Sequence, residues 1–206
     1  MTVQNHLDSL SATEIKSKLD QHQGVPYLFP NPELYVKGPA RDAAVLIPLI
    51  RSENNWELLF IRRTKVDGDP HSGQVAFPGG RRDEDDRSVQ ENATREAREE
   101  IGVQADEIEI LGKLEHMVTI SNYKLTPIVG WLKNWPISLI AQETEVARIF
   151  QISLTWLANA DNLRIENREI RGSDLKTPIY YFEEFDGEKL WGVTAHIVVN
   201  FLRALS

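Results

Sequence analysis

Short apolar runs recur along this chain, and their spacing predicts strands on both sides of one central helix. The runs at residues 43–50 and 56–63 flank the pair Asn54–Asn55, which is a turn signal, and they are typical of an antiparallel hairpin. A mixed sheet packed between helices is the fold that this order of elements indicates. Comparable runs predict further strands at residues 74–77, 108–118, 124–132, 146–152, 163–170 and 178–182.

Helical spacing predicts three principal helices. The central helix begins after Ser88, which forms a capping box with Glu91, and it ends at Gly102, a natural C-terminal stop. A second capping box predicts a short helix at residues 12–21. A final helix, capped by Thr194, is predicted to close the chain. Its expected buried face consists of Ile197, Val198, Phe201 and Leu202.

We expect one domain at residues 41–206, preceded by an N-terminal arm at residues 1–40. The arm combines the short helix with residues 24–39, which contain four prolines and are predicted to be irregular or extended. Hydrophobic residues make up 41 % of the 206 residues, which is enough for a sizeable core.

Composition narrows the classes of function. The net charge of −8 argues against a general nucleic-acid binder, although a metal ion would still allow a nucleotide substrate. The absence of cysteine excludes disulfides, a thiolate nucleophile and a zinc–thiolate site. No apolar run approaches the roughly 18–20 residues of a membrane span, and the N-terminus lacks a leader pattern. We therefore expect a cytoplasmic protein that does not associate with membranes.

The central helix carries the candidate chemistry. Glu96, Glu99 and Glu100 are spaced i, i+3 and i+4, so they share one helix face within about 5–6 Å of one another. Three carboxylates placed there repel one another, and a hard divalent cation such as Mg²⁺ would relieve that repulsion. Arg95 lies four residues before Glu99 and is expected to pair with it. The alternative is a solvated charged helix, as many Glu- and Arg-rich helices are.

A tight turn with the sequence FPGG precedes this helix by a short charged loop. Gly79 and Gly80 let the backbone of the turn approach closely, and their carbonyl oxygens are further hard ligands for a cation. The FPGG turn before the helix and Gly102 after it argue against the solvated-helix alternative much more strongly than the helix sequence does alone.

The run REAREEIGV resembles the second half of the Nudix box, the signature of hydrolases that cleave nucleoside diphosphates linked to another moiety. The family pattern is G-x5-E-x7-R-E-U-x-E-E-x-G-U, in which U is a bulky aliphatic residue. Counting back from Arg95 places Arg87 and Arg81 where the pattern has Glu and Gly, whereas counting forward from Gly80 places Asp86 at the acid position. The loop therefore carries one extra residue. The matching residues are Arg95, Glu96, Glu99, Glu100, Gly102 and Val103, with Ala97 as a small first U.

Other segments resemble the coenzyme A pyrophosphatase branch of this family. The turn at residues 77–80 with its lengthened acidic loop follows the branch pattern, as does the apolar strand before it. Residues 145–150 resemble its E-V-A-x-x-F segment, and residues 191–195 resemble its W-G-x-T-A segment. Two positions depart from the branch, because Ile61 stands where it has Thr and Asp69 stands where it has Arg.

The resemblance implies an α/β/α sandwich with a mixed central sheet and a diphosphatase that depends on Mg²⁺ or Mn²⁺. Glu145, which opens the E-V-A segment, is the candidate for a general base or an added ligand, with Glu143 or simple solvation as alternatives. The implied metal ligands are Glu96, Glu99, Glu100 and the Gly79 carbonyl. The implied catalytic residues are Glu99, Glu100, Arg95 and Glu145.

The substrate implied by the resemblance is a small nucleotide, namely coenzyme A or its thioesters, with 3′,5′-ADP and 4′-phosphopantetheine as products. ADP-ribose or a nucleoside diphosphate sugar is the runner-up, and a catalytically silent nucleotide-binding module is the third hypothesis. Because side chains alternate along a strand, at most one of Arg62 and Arg63 points at the site. A homodimer is compatible with the fold. The candidate substrate contacts are Arg62, Arg63, Arg81 and His71.

Overall fold

The computed structural model describes residues 3–25, 38–68, 71–169 and 176–206. Its helices are α1 (Val3–Ser9), α2 (Ala12–Gln21), α3 (Val89–Ile101), α4 (Leu154–Leu157) and α5 (Gly192–Ala204). Its strands are β1 (Arg41–Ser52), β2 (Asn55–Arg63), β3 (Val75–Ala76), β4 (Gly79–Arg81), β5 (Ile108–Lys113), β6 (Met117–Val118), β7 (Tyr123–Leu132), β8 (Val146–Ser153), β9 (Leu163–Glu169) and β10 (Lys176–Phe182).

The main sheet is mixed. Its central order is β3-β2-β1-β7-β5, and β4, β6 and β8 pair with β1, β7 and β2 respectively. The strands β1 and β7 run parallel over a long register, whereas β1 pairs with β2 as the predicted antiparallel hairpin. The strands β9 and β10 form a separate two-stranded sheet.

Helices cover both faces of the main sheet, so the fold is the predicted α/β/α sandwich. On one face, Ala93, Ala97 and Ile101 of α3 pack against Leu46 and Leu59 of the sheet. The other face packs against side chains of α1, α2 and α5. Each strand of the central hairpin is buried on both faces, which explains its nearly continuous apolar sequence.

The two N-terminal helices contribute to the main core. Ile15 and Leu19 of α2 are fully buried, and Leu19 lies so close to Gly112 that an added methyl group there would meet it at 3.1 Å. The Trp56 indole N–H donates to the Leu10 carbonyl at 2.8 Å. Most of the predicted irregular stretch, residues 24–39, lies outside the described residues. The boundary at residue 40 remains a prediction.

Several element predictions need correction. The strand predicted at residues 108–118 is two strands, β5 and β6. The helix α1 was not predicted. Thr194 does not cap α5, because its hydroxyl donates to the Val75 carbonyl at 3.0 Å and the helix begins at Gly192. Leu202 is only partly buried.

The predicted capping box of α3 is half correct. The Ser88 hydroxyl accepts the Glu91 N–H, but the Glu91 carboxylate accepts the N–H of Arg87 instead of that of Ser88. The helix ends at Gly102 in the left-handed conformation, with φ 79°. None of the helices in the described parts of the chain is long and apolar enough to cross a membrane.

Candidate active site

The FPGG turn lies between β1 and the C-terminal half of α3. A Cβ atom at Gly79 would lie 2.4 Å from the Ala44 carbonyl oxygen, and one at Gly80 would lie 2.7 Å from a Glu96 carboxylate oxygen. Both contacts are far below van der Waals distance. The two glycines are therefore required by close approach, on one side to the sheet and on the other to an acidic side chain.

Glu100 is the most buried carboxylate at this end of α3, with 2 % of its surface exposed. Its Oε2 accepts a hydrogen bond from the Gly79 backbone N–H at 2.9 Å. Burial raises the pKa of Glu100 to about 8, and the nearby charges of Glu96 and Glu145 also raise it. The Gly79 hydrogen bond and the charge of Arg63 lower that pKa, but burial outweighs them.

Glu96 lies beside Glu100 and is also largely shielded, with 14 % of its side chain exposed. Burial raises its pKa, Arg95 opposes that effect, and the charges of Glu99 and Glu145 add to it. Two desolvated carboxylates are thus held close to each other and to the FPGG turn. Such a pair favours a proton or a cation, because either one removes the repulsion.

Arg95 connects the acidic residues of this region. Its Nη1 donates to Glu99 at 2.9 Å, as predicted, and its Nη2 donates to Glu96 at 2.9 Å. Its Nε and Nη2 both contact the Asp86 carboxylate at 3.1 Å. Nη2 also contacts the Arg81 carbonyl at 3.2 Å. Arg95 therefore fixes the positions of other groups, and the structure supports a positioning role for it.

Asp86 resolves the ambiguity of the lengthened loop. It is 6 % exposed, and its hydrogen bonds from Arg95 hold its pKa below the usual range despite burial. The Asp83 N–H donates to its Oδ2 at 2.8 Å, and the Arg82 guanidinium contacts its carbonyl. The acid found by counting forward from Gly80 is thus the one that pairs with Arg95. Sequence reasoning named the position but not this partner.

Arg62 and Arg63 end β2 and face opposite sides of the sheet, as strand alternation requires. Arg63 lies on the α3 side, where its charge lowers the pKa of Glu100. Arg62 lies on the other side and donates to Glu188 at 3.0 Å. The structure therefore brings Arg63 to the acidic end of α3 and does not bring Arg62 there.

Arg81 and His71, the other predicted substrate contacts, flank the turn at different distances along the chain. The Arg81 side chain is exposed on β4, and its carbonyl accepts hydrogen bonds from Asn92 and Arg95. His71 is exposed in the loop before β3, with its Nδ1 3.3 Å from the Gln74 side-chain oxygen. Substrate binding by either residue stays a prediction.

Glu145 lies in a turn that is tied to the end of α3. The Gln142 N–H donates to the Glu100 carbonyl at 2.9 Å, and the Glu145 N–H donates to the Gln142 carbonyl at 2.8 Å. The Glu145 side chain is exposed, and its charge raises the pKa of both Glu96 and Glu100. The structure thus places Glu145 beside the carboxylate pair, while its role as a base or ligand stays a prediction.

The donor set at this end of α3 fits a hard divalent cation by its chemistry, since every donor is an oxygen. Within the described ranges, however, no three acidic or histidine side chains already form a group that could hold an ion. Arg95 holds the Glu99 carboxylate, and the Gly79 N–H holds that of Glu100. The fit therefore rests on two desolvated, mutually repelling carboxylates instead of a preassembled cage.

A second buried acidic group on the opposite face was not predicted. Glu188 is 4 % exposed, and its Oε1 accepts hydrogen bonds from Arg62 at 3.0 Å and from Arg148 at 2.9 Å. Arg62 and Arg148 are cross-strand partners on β2 and β8. Arg148 also pairs with the exposed Asp186. Both acids lie far from the two arginines in the sequence, so local sequence carried no signal for the group.

The segments that resemble the coenzyme A branch meet beside the FPGG turn. Phe77 of the turn stacks on Phe60 with ring centroids 4.8 Å apart, and Phe60 stacks on Phe150 at 5.7 Å. Thr194 of the W-G-x-T-A segment binds the carbonyl of Val75, two residues before Phe77. Segments far apart in sequence therefore form one packed unit.

Comparison with known proteins adds an independent finding. The model of the NUDIX domain family matches residues 40–171. The proteins named "Uncharacterized Nudix hydrolase NudL" from Yersinia pestis (strain Pestoides F) and Yersinia pseudotuberculosis serotype O:1b (strain IP 31758) are both 35 % identical over 172 residues, which cover 84 % of this chain and 83 % of each relative.

Similar solved structures include an Ap4A hydrolase binary complex from C. elegans, with 18 % identity, 55 % of this chain and 80 % of that chain covered, and a TM-score of 0.46. A MutT protein from Methanosarcina mazei Go1 has 24 % identity, covers 59 % of this chain and 83 % of that chain, and has a TM-score of 0.46.

Proposed function

The chain belongs to the Nudix family of hydrolases, which act on nucleoside diphosphates linked to another moiety, and we propose that its substrate is coenzyme A or a coenzyme A derivative. The products would be 3′,5′-ADP and 4′-phosphopantetheine. The observation that carries the proposal is the packing of the E-V-A-x-x-F and W-G-x-T-A segments against the strand and turn of FPGG.

The departure at Ile61 does little against this substrate. Ile61 is 1 % exposed and pairs across the sheet with Ile149 and Ala76. Since the Ile61 side chain is almost fully buried, a change there alters packing within the core and not a surface that a substrate could contact. The other departure, Asp69, lies outside the described residues.

Mg²⁺ or Mn²⁺ would neutralise the diphosphate oxygens and supply an activated water molecule. Glu96, Glu99 and Glu100 would hold the ion, with the Gly79 carbonyl as a further ligand. Arg95 keeps Glu96 and Glu99 in place, and the bonds that Arg95 makes to Asp86 keep Arg95 itself in place.

Two other side chains have proposed roles in the reaction. Glu145 would accept the proton of the attacking water, because it is exposed beside the carboxylate pair and its charge already acts on that pair. Arg63 would bind a substrate phosphate from the same side of the sheet, since a guanidinium pairs well with phosphate oxygens.

The test is a product assay with purified protein and Mg²⁺ or Mn²⁺. Coenzyme A, ADP-ribose and several nucleoside diphosphate sugars are offered separately, and kcat/KM is compared. We expect coenzyme A to give 3′,5′-ADP with the highest kcat/KM. A higher value for ADP-ribose or a sugar nucleotide would reject coenzyme A as the substrate.

A variant separates catalysis from binding. Glu99→Gln should leave the fold intact and remove turnover, because Glu99 is half exposed and contributes little to the core. If metal ions stabilise the wild-type protein thermally but no substrate turns over, the silent nucleotide-binding module becomes the better hypothesis. Retained turnover in Glu99→Gln would instead reject the role given to Glu99.

A further inference from the structure

A cavity of about 520 Å³ lies between the β9–β10 sheet and the chain that enters α5. None of the catalytic or metal-binding residues proposed above lines it. Its volume is within the range of sites for small molecules, roughly 300–1,000 Å³. Its lining combines the aromatic Tyr181 and Trp191, the cationic Arg164, Arg168 and Lys189, and the carboxylates of Glu183 and Glu184. The Lys189 ammonium lies 3.8 Å from the Glu184 carboxylate, which leaves the two arginines as the candidate anion contacts.

One wall of the cavity is aromatic. The rings of Tyr181 and Trp191 are nearly parallel, with an interplanar angle of 4° and centroids 5.9 Å apart. A backbone bridge between the same two residues fixes them against each other. Trp191 is nevertheless 39 % exposed, which is unusual for so large an apolar side chain. An exposed, fixed indole is a platform on which another flat ring can stack.

Cationic side chains adjoin this wall. The guanidinium carbons of Arg164 and Arg168 lie 5.2 and 5.7 Å from the centre of the Tyr181 ring. Both guanidiniums contact the single carboxylate of Glu166, at 2.7 and 3.7 Å. Each guanidinium carries five N–H donors, so one shared carboxylate leaves donors for an anion.

The cavity is joined to the FPGG region by the first turn of α5. Trp191 immediately precedes α5, and Thr194 in that turn donates to the Val75 carbonyl on β3. In the segment between β10 and α5, Glu188 binds Arg62 of β2. The aromatic wall is therefore anchored to the two strands that lead into the turn.

We propose that this cavity binds a nucleotide through its base and phosphate, with Trp191 stacking on the heteroaromatic base and Arg164 and Arg168 binding a phosphate group. The exposed indole of Trp191 matches a flat ring, and the guanidiniums of Arg164 and Arg168 match an anion. The choice of an adenine nucleotide rests on the proposed function, whereas recognition of base and phosphate does not.

The probe is 3′,5′-ADP, and its binding is measured by calorimetry and tryptophan fluorescence in a buffer that contains a metal chelator. We expect Trp191→Leu to weaken binding about tenfold and Trp191→Phe to retain most of it, since a phenyl ring still offers a flat surface for stacking and an aliphatic side chain does not. Adenosine, which lacks the phosphate, should show the same dependence on Trp191.

A second variant tests the phosphate contacts. Combined Arg164→Gln and Arg168→Gln should weaken 3′,5′-ADP binding about tenfold and leave adenosine binding unchanged, because only the nucleotide carries the anion. Arg203→Gln, at the far end of α5 on an exposed residue, is the matched control and should change neither.

Unchanged affinity of both folded variants for 3′,5′-ADP, or no binding by the wild-type protein, would overturn the proposal. Failure of the cavity proposal and failure of the proposed function give different results. Trp191-dependent nucleotide binding without coenzyme A hydrolysis would reject only the proposed substrate. Coenzyme A hydrolysis with binding that does not depend on Trp191 would reject only the cavity as a nucleotide site.

Discussion

Two buried carboxylates lie on opposite faces of the main sheet and differ in what surrounds them. Glu100 and Glu188 are 2 % and 4 % exposed. Glu188 accepts hydrogen bonds from two guanidiniums, whereas the hydrogen bond that Glu100 accepts comes from an uncharged backbone N–H. Burial leaves the pKa of Glu100 at about 8.

We interpret Glu188 as a structural acid and Glu100 as the proposed metal ligand. Burying a carboxylate is costly unless opposite charge or hydrogen bonds compensate for the lost water. Arg62 and Arg148 provide that compensation for Glu188, and the group links β2 and β8 to the chain before α5. Glu100, with Glu96 beside it, keeps an unmet preference for positive charge, which is the property of a cation ligand.

The largest expected effect comes from Glu100→Gln. We expect kcat/KM to fall about a thousandfold, equivalent to about 4 kcal/mol, because a ligand that compensates charge in the transition state is lost. Stability should hold near neutral pH, since the amide keeps an oxygen acceptor for the Gly79 N–H and a carboxyl with a pKa of about 8 is already mostly uncharged there. Steady-state kinetics and urea denaturation check both, with Glu109→Gln on an exposed residue as the control. A variant that turns over normally would contradict the comparison.

Metal binding provides the next test. At a hundred times Kd, Mn²⁺ should raise the free energy of unfolding of the wild-type protein by about 2.7 kcal/mol, since it binds only the folded state. Thermal denaturation with and without the ion measures this. Glu100→Gln should lose most of the stabilisation and Glu188→Gln should keep it. Equal losses in both variants would show that the two acids do not differ as proposed.

Glu188→Gln should act on stability. We expect a loss of about 2 kcal/mol in the free energy of unfolding, because two guanidiniums lose a charged acceptor. The partial exposure of Arg62 and Arg148, at 40 % and 34 %, keeps the loss below that of a fully buried pair. Urea denaturation measures it, and Glu169→Gln, on an exposed strand residue, is the control. Unchanged stability would reject the structural role.

The smallest expected effect is that of Asp86→Asn. Replacing this carboxylate removes the charge that holds Arg95, so kcat should fall about tenfold, or about 1.4 kcal/mol, with little change in KM. The exposed neighbour Asp85 offers a matched control, Asp85→Asn, that should have no effect. If KM rises instead of kcat falling, Asp86 acts on substrate binding and not on the position of the carboxylates.

The geometry of single helices and strands accounts for much of what the sequence predicted correctly. The spacing of Glu96, Glu99 and Glu100 placed them together at one end of α3, and the pairing of Arg95 with Glu99 is confirmed at 2.9 Å. Gly102 ends the helix as expected. Alternation along β2 correctly required Arg62 and Arg63 to face opposite sides. Each of these depends on residues a few positions apart, where helix and strand geometry leave little freedom.

The sequence by itself thus determined the helix, its acidic face, the glycine turn and the sandwich class. Only the tertiary structure decided that Glu100 accepts a hydrogen bond from a backbone N–H whereas Glu188 accepts its hydrogen bonds from guanidiniums. It also decided that Asp86 holds Arg95, that Thr194 binds β3 instead of capping α5, and that Trp191 lies against Tyr181. Burial, pKa and pairing depend on side chains that approach from distant parts of the chain, and no local pattern encodes which ones arrive.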